Sequence, residues 1–162
     1  MQLNPAVFDA WVFRRTRTSV EYLLLQTSEF KAARYFNGGR FWQIPSGLFR
    51  DGEAVVAALD RVLSVFCLDS TGIWAAEHAY TIYNRRFDEV QIITVYAIEV
   101  VDDEPHLDPA EHSAYRWLPF DDALRAVHYR GLKDGLRSVH EYVTGPAVPA
   151  PELCLRAGPA AK

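Results

Sequence analysis

The stretch Phe41-Trp42-Gln43-Ile44-Pro45-Ser46-Gly47-Leu48-Phe49-Arg50-Asp51-Gly52-Glu53, continued through Arg61 to Leu68, decides how the chain reads. Phe41 to Ile44 is an extended aromatic and apolar run, and Pro45 keeps Ile44 out of helical geometry. Asp51-Gly52-Glu53 then opens a helix expected to reach about Leu68, with Asp51 as its N-terminal cap and alanines and leucines as good helix formers. Val62, Val65 and Phe66 stand at i, i+3 and i+4 and share one helix face. That face is apolar. Burying each side chain is worth about 1.5–3 kcal/mol, so something should cover them: the chain's own 27–40 loop, a partner subunit or an apolar ligand.

Outward from this segment, Val7 to Arg14 and Val20 to Gln26 are apolar, β-branched and aromatic runs separated by Arg15 to Ser19, the spacing of an antiparallel hairpin. Periodicity disappears from Thr27 to Arg40, and Gly38-Gly39 marks a loop. On the other side, Trp74 to Asn84 and Val90 to Val100 read as strands, and Asp102 to Pro109 reads as an acidic loop. A short strand is expected at Ala114–Leu118, and helices at about Asp121–Val127 and Leu132–Val143. Strands, helix, strands and helix in that order predict an α+β fold, a mixed β-sheet sandwiched between helices. Residues 1–144 form the expected domain. Residues 145–162 are Pro- and Ala-rich with little to bury and are expected to be a flexible or loosely docked tail.

A chain of 162 residues, 49% hydrophobic and 13% aromatic, has material for one sizeable core. The net charge of −4 argues against general nucleic-acid binding through phosphate contacts. Residues 1–61 nevertheless carry 8 basic against 6 acidic side chains, and the remainder 9 against 15, so a small anionic ligand on the first part stays open. Cys67 and Cys154 have none of the spacings of a zinc site or redox pair. No apolar run approaches the ~18 residues of a membrane span and Met1 to Ala10 lacks a leader pattern, which together predict a soluble, cytoplasmic protein.

Gly47, Glu53 and Arg61 resemble, in identity and spacing, the first half of the Nudix box. Glu111-His112-Ser113-Ala114-Tyr115-Arg116-Trp117-Leu118 is similar to the segment before the last helix in Nudix enzymes that cleave dATP, dihydroneopterin triphosphate and diadenosine polyphosphates. The resemblance covers roughly residues 5–143 and implies a Nudix fold. It also implies a Mg²⁺-dependent pyrophosphohydrolase, whose box would continue after the arginine with glutamates at positions 62, 65 and 66. Here all three are apolar, and Arg50 stands where many members carry another glutamate. Mg²⁺ requires hard oxygen ligands in nearly octahedral order, so the usual catalysis loses its metal cluster. In an alternative register, Asp69-Ser70-Thr71-Gly72-Ile73 resembles the end of the box displaced by about one helical turn. Asp69 would then restore one carboxylate.

The resemblance makes Glu53 and Asp69 candidate metal ligands and Glu111 a candidate catalytic base. Residue by residue, other readings stay open. Glu53 at the first turn of a helix also serves the dipole and can pair with Arg61, and Glu111 beside an acidic loop can be a solvated surface group. Arg40, Trp42 and Arg50 are the candidate substrate-binding residues, the arginines as forked anion clamps and the tryptophan as a stacking surface. Tyr83 and Tyr96 share that stacking alternative, although strand aromatics more often fill a core.

Three functions follow. The leading one is a Nudix-superfamily protein with a degenerate box that binds a nucleotide-like or other small anionic ligand, with weak or no hydrolysis and no obligatory cofactor. The second is an active nucleoside-polyphosphate pyrophosphohydrolase using Mg²⁺ held by Glu53, Asp69, Glu77 or Glu111. The third is an interaction module, a homodimer formed through the apolar helix face.

Overall fold

The computed structural model describes residues 1–101 and 104–160. Two of the expected acidic-loop residues, Asp102 and Asp103, lie outside the described residues.

Long apolar runs make the centre of the sheet. Strand β1 (Gln2–Arg15) turns at Thr16–Ser19, where Thr16 N–H donates to Ser19 O at 2.8 Å, into β2 (Val20–Thr27). Strands β5 (Ser70–Asn84) and β6 (Glu89–Val100) form a second antiparallel pair, and β1 lies parallel to β6. Side chains alternate across β1: Trp11 and Phe13 enter one core, and Phe8, Ala10 and Val12 the other. Both faces of its middle are therefore buried, which is why Val7 to Arg14 reads as a nearly continuous apolar run.

Pro45 splits the Phe41–Leu48 segment into two short strands. Of these, β3 (Trp42–Gln43) pairs with β2, and β4 (Ser46–Leu48) crosses to pair with β1. Strand β7 (His112–Pro119) also joins β2. The result is an eight-stranded mixed sheet, ordered β3-β2-β1-β6-β5-β8 along its main path.

Helix α2 (Val55–Val65) covers one face through Ala58, Leu59, Val62 and Leu63. The opposite face is covered by α3 (Phe120–Ala126) and α4 (Arg130–Val139), with Ala123, Leu132, Leu136 and Val139 in the core. The fold is thus the expected α+β mixed sheet between helices.

Four local expectations change. The 27–40 loop contains a helix, α1 (Glu29–Tyr35), capped by Ser28 Oγ accepting from Lys31 N–H at 3.1 Å. Helix α2 begins at Val55 without a side-chain cap, rather than at Asp51, because Gly52 adopts φ +71° and closes a turn in which Glu53 N–H donates to Arg50 O at 3.0 Å. It also ends at Val65, short of Leu68, followed by Cys67 in a left-handed conformation. Finally, residues 154–157 of the segment expected as a loose tail form β8 (Cys154–Ala157), antiparallel to β5 at the sheet edge.

Candidate functional site

The loop between β4 and α2 is closed by one ion pair. Arg61 on α2 donates from Nε and Nη2 to the two carboxylate oxygens of Glu53, each at 2.8 Å, and Nη2 also reaches Leu48 O at 2.8 Å. Arg50 N–H donates to Glu53 Oε2 at 3.0 Å. Hydrogen bonds from Arg61, then from the Arg50 backbone, hold the Glu53 carboxyl down from its ordinary 4.5 to about 2. Glu53 is therefore ionised at neutral pH, with its charge spent on fastening the loop to the helix. The Arg50 side chain itself is exposed beside it.

Next to Arg61 in the chain, Val62 packs against Gly47 and Phe8. A Cβ added at Gly47 would come within 2.8 Å of both side chains, so the loop approaches the helix as closely as only glycine allows. Val62 and Phe66 are 9% and 7% exposed, whereas Val65 is 63% exposed. The segment leading into β7 covers Phe66: His106 N–H donates to Phe66 O at 2.8 Å, the His112 ring lies 6.0 Å from the Phe66 ring, and Leu107 packs against the same cluster. Burial, then the nearby Lys31 charge, lowers the pKa of His112 and favours its neutral form.

The remaining candidates fall into separate places. Glu111 lies on the rim between α1 and β7, ion-paired with Lys31, and its carbonyl accepts from Ser28 N–H at 3.1 Å. Arg40 occupies the same rim. Its Nη2 donates to Ser113 Oγ at 2.5 Å and Gln26 Oε1 at 3.4 Å, and Nη1 is 3.7 Å from Glu29. Trp42 lies opposite Gln26, half-buried, with the Arg116 guanidinium 4.9 Å from its ring centre. The structure thus gathers Arg40, Trp42 and Glu111 near one rim and Arg50 with Glu53 at the box loop. Asp69 is exposed past the far end of α2. Its neighbour Ser70 donates from Oγ to Asp60 Oδ1 at 3.2 Å, so the chain turns back along the helix there.

Sequence reasoning missed a buried pair on the opposite face. Tyr80 O–H donates to Asp9 Oδ2 at 2.5 Å, and burial, partly offset by this bond, raises the Asp9 carboxyl from 3.8 to about 6. Burial and the Asp9 charge raise Tyr80 as well. A lone acid inside Val7 to Arg14 was the available signal. A cavity of about 500 Å³ opens near Tyr22, Phe120 and His140 and includes none of the candidate residues; another, of about 360 Å³, lies at Thr94 and Tyr96.

An eight-stranded mixed sheet between helices, carrying a glycine-to-arginine loop and helix fastened by a Glu–Arg pair, defines a Nudix-type domain. The NUDIX domain family model matches residues 3–139, and the chain belongs to the Nudix family. It is 26% identical over 141 residues to the asymmetrical bis(5'-nucleosyl)-tetraphosphatase of Sus scrofa, covering 82% of this chain and 90% of that one. In structure it is similar to a candidate NUDIX hydrolase from Listeria monocytogenes (TM-score 0.70, 20% identity, 85% and 93% coverage). It is also similar to the NUDIX domain of Shewanella oneidensis NrtR complexed with ADP ribose (TM-score 0.66, 17% identity, 87% and 89% coverage).

The family implies Mg²⁺, and the residues present do not fit it. The box-helix positions are Val62, Val65 and Phe66, and Glu53 is engaged by Arg61. Among the described residues no three His, Cys, Asp or Glu side chains assemble as a metal cluster.

Proposed function

We propose that this Nudix domain binds a nucleotide-like or other small anionic ligand and hydrolyses pyrophosphate bonds weakly or not at all. The observation that carries this reading is the packing of Val62 and Phe66 into a core, on the helix face where the family's chemistry needs carboxylates. An apolar side chain offers Mg²⁺ no oxygen, and charge gathering on a phosphoryl group would find no counter-ion there. The cations of the site support anion binding. Arg50 is exposed beside the box loop, and Arg40 faces solvent across from Ser113. In this reading Glu53 fastens the loop rather than holding a metal.

A second reading, hydrolysis through a rearranged site, draws on the tetraphosphatase relatives. Thermal shift with ADP-ribose, diadenosine tetraphosphate and pyrophosphate, each with and without Mg²⁺ or Mn²⁺, separates the two when run beside a phosphate-release assay. Stabilisation indifferent to metal and absent turnover are expected. Strictly metal-dependent turnover that Glu111→Gln abolishes would establish the second reading instead.

A further inference from the structure

Helix α1 and the β5–β6 hairpin come from distant parts of the chain and meet through an arginine. The Arg86 guanidinium lies 3.9 Å from the ring centre of Tyr35 and 4.8 Å from that of Phe87, and its Nη2 donates to Tyr35 Oη at 3.1 Å. Its backbone is held as well, because Arg86 N–H donates to Asn84 Oδ1 at 3.0 Å. Arg34, in the last turn of α1, lies 5.5 Å from the same Tyr35 ring and 6.0 Å from that of Phe30. Phe30, Arg34, Tyr35, Arg86 and Phe87 therefore form a ladder in which rings and guanidiniums alternate.

The ladder is open to solvent. Phe30 is 61% and Phe87 57% exposed, and Arg34, Arg86 and the neighbouring Arg85 are exposed too. Among the described residues these three arginines form no ion pair. The acids of the same elements are engaged elsewhere: Asp88 accepts from Tyr83 O–H at 2.8 Å, Glu29 lies 3.7 Å from Arg40, and Glu89 accepts from Asn4 and Gln91. Because Arg34 and Arg86 share one ring, their charges stand within about 10 Å of each other, roughly the Debye length at ~0.1 M salt, and repel. Stacking occupies the face of a guanidinium and leaves its edge, so forked N–H donors stay available to a carboxylate.

We propose that this ladder docks a short segment of a partner protein in which aspartates or glutamates stand among large apolar side chains. The carboxylates take the edges of Arg34 and Arg86 in forked hydrogen bonds and relieve their repulsion, while the apolar side chains cover Phe30 and Phe87. Stacking fixes the arginines beforehand, so less side-chain freedom is lost on binding. Charge complementarity selects an acidic segment, because the cations of the ladder are not neutralised within the chain. A nucleic acid fits less well: three arginines at one tip neutralise few phosphates, and the net charge of −4 repels a long polyanion. None of these residues is a candidate ligand-binding residue, so the surface does not rest on the anionic-ligand reading.

The test is fluorescence anisotropy and amide-resolved NMR of the full chain with a short synthetic peptide of alternating glutamate and leucine. Controls are the same peptide with glutamine for glutamate, one with serine for leucine, oligothymidylate, and vesicles of phosphatidylserine and phosphatidylcholine. The glutamate–leucine peptide should shift the amides of residues 30–35 and 83–88, and each control peptide should bind at least tenfold more weakly. Arg34→Gln with Arg86→Gln, and separately Phe30→Ser with Phe87→Ser, should each weaken binding at least tenfold while amide spectra elsewhere stay unchanged. Equal binding of the glutamate and glutamine peptides, shifts confined elsewhere, unchanged affinity in either double variant, or no binding would overturn the docking surface. Oligothymidylate or vesicles bound more tightly than the peptide would overturn it in favour of a nucleic-acid or lipid surface.

Discussion

Arg156 in the last strand holds Asp60 in the middle of α2 at two points, Nη1 to Oδ2 at 2.6 Å and Nη2 to Oδ1 at 2.9 Å, and Arg156 and Asp60 both contact Ser70 Oγ at the start of β5. The C-terminal strand thereby ties the box helix to the sheet edge. The pair is partly exposed, its side chains 20% and 31% accessible, so its worth must be discounted for solvent screening. Arg156→Met should cost about 1–2 kcal/mol in urea unfolding, mainly by leaving Asp60 unpaired, and adding Asp60→Asn should recover part of it. Strict additivity of the two substitutions would mean that the geometry carries no coupling.

Which features could be read beforehand follows from how local their causes are. Gly47, Glu53 and Arg61 carry their meaning in spacing alone, and the structure joins all three in one loop and helix. The alternation of Phe8, Ala10 and Val12 against Trp11 and Phe13 is likewise local. By contrast, α1 is only seven residues long, and Gly38-Gly39 outweighed its one cap signal, Ser28. Nothing in Cys154–Ala157 announces a strand, because β8 exists through the free edge of β5 and the Asp60 partner. The cover over Phe66 comes from His106 and Leu107, about forty residues away, and no pattern within the helix could name it.

Glu53 offers a direct reading of the loop clamp. Its folded pKa is depressed, so its contribution to stability is present above its ordinary 4.5 and is lost as pH falls towards about 2. Arg61→Gln should return the Glu53 pKa most of the way to 4.5, measured by NMR titration of its side-chain carboxyl. A Glu53 that stays near 2 in the variant would show that the Arg50 backbone donor, not Arg61, sets its charge.

Asp9 predicts the opposite slope. Its folded pKa is raised from 3.8 to about 6, so the native state binds the proton more tightly than the unfolded chain does. Stability from this group is full below about 3.8 and is lost as pH rises through about 6, a difference of about 3 kcal/mol at neutral pH. Asp9→Asn keeps an acceptor for Tyr80 and removes the buried charge. Its Tm should exceed that of the unsubstituted protein by about 5 °C at pH 7.5 and match it near pH 4. Equal gains at both pH values would assign the effect to packing instead.

The apolar box face gives the sharpest contrast, because its three positions differ in burial though not in helical register. Val62 lies against Gly47 and Phe8, and Phe66 lies beside His106 and His112, so a carboxylate at either place enters an apolar core. Val62→Glu and Phe66→Glu should each cost at least about 3 kcal/mol in urea unfolding, and Phe66→Ala should cost about 3–5 kcal/mol through its cavity. Val65→Glu, at an exposed position, should stay within about 0.5 kcal/mol and leave the oligomeric state unchanged. If Val62→Glu and Phe66→Glu were instead tolerated, and the triple variant with Val65→Glu bound Mg²⁺ by calorimetry, the face would be a metal cleft that had merely lost its ligands. Sizeable destabilisation at 62 and 66 alone would make it a repacked core, one that cannot regain the family's carboxylates by substitution at those positions only.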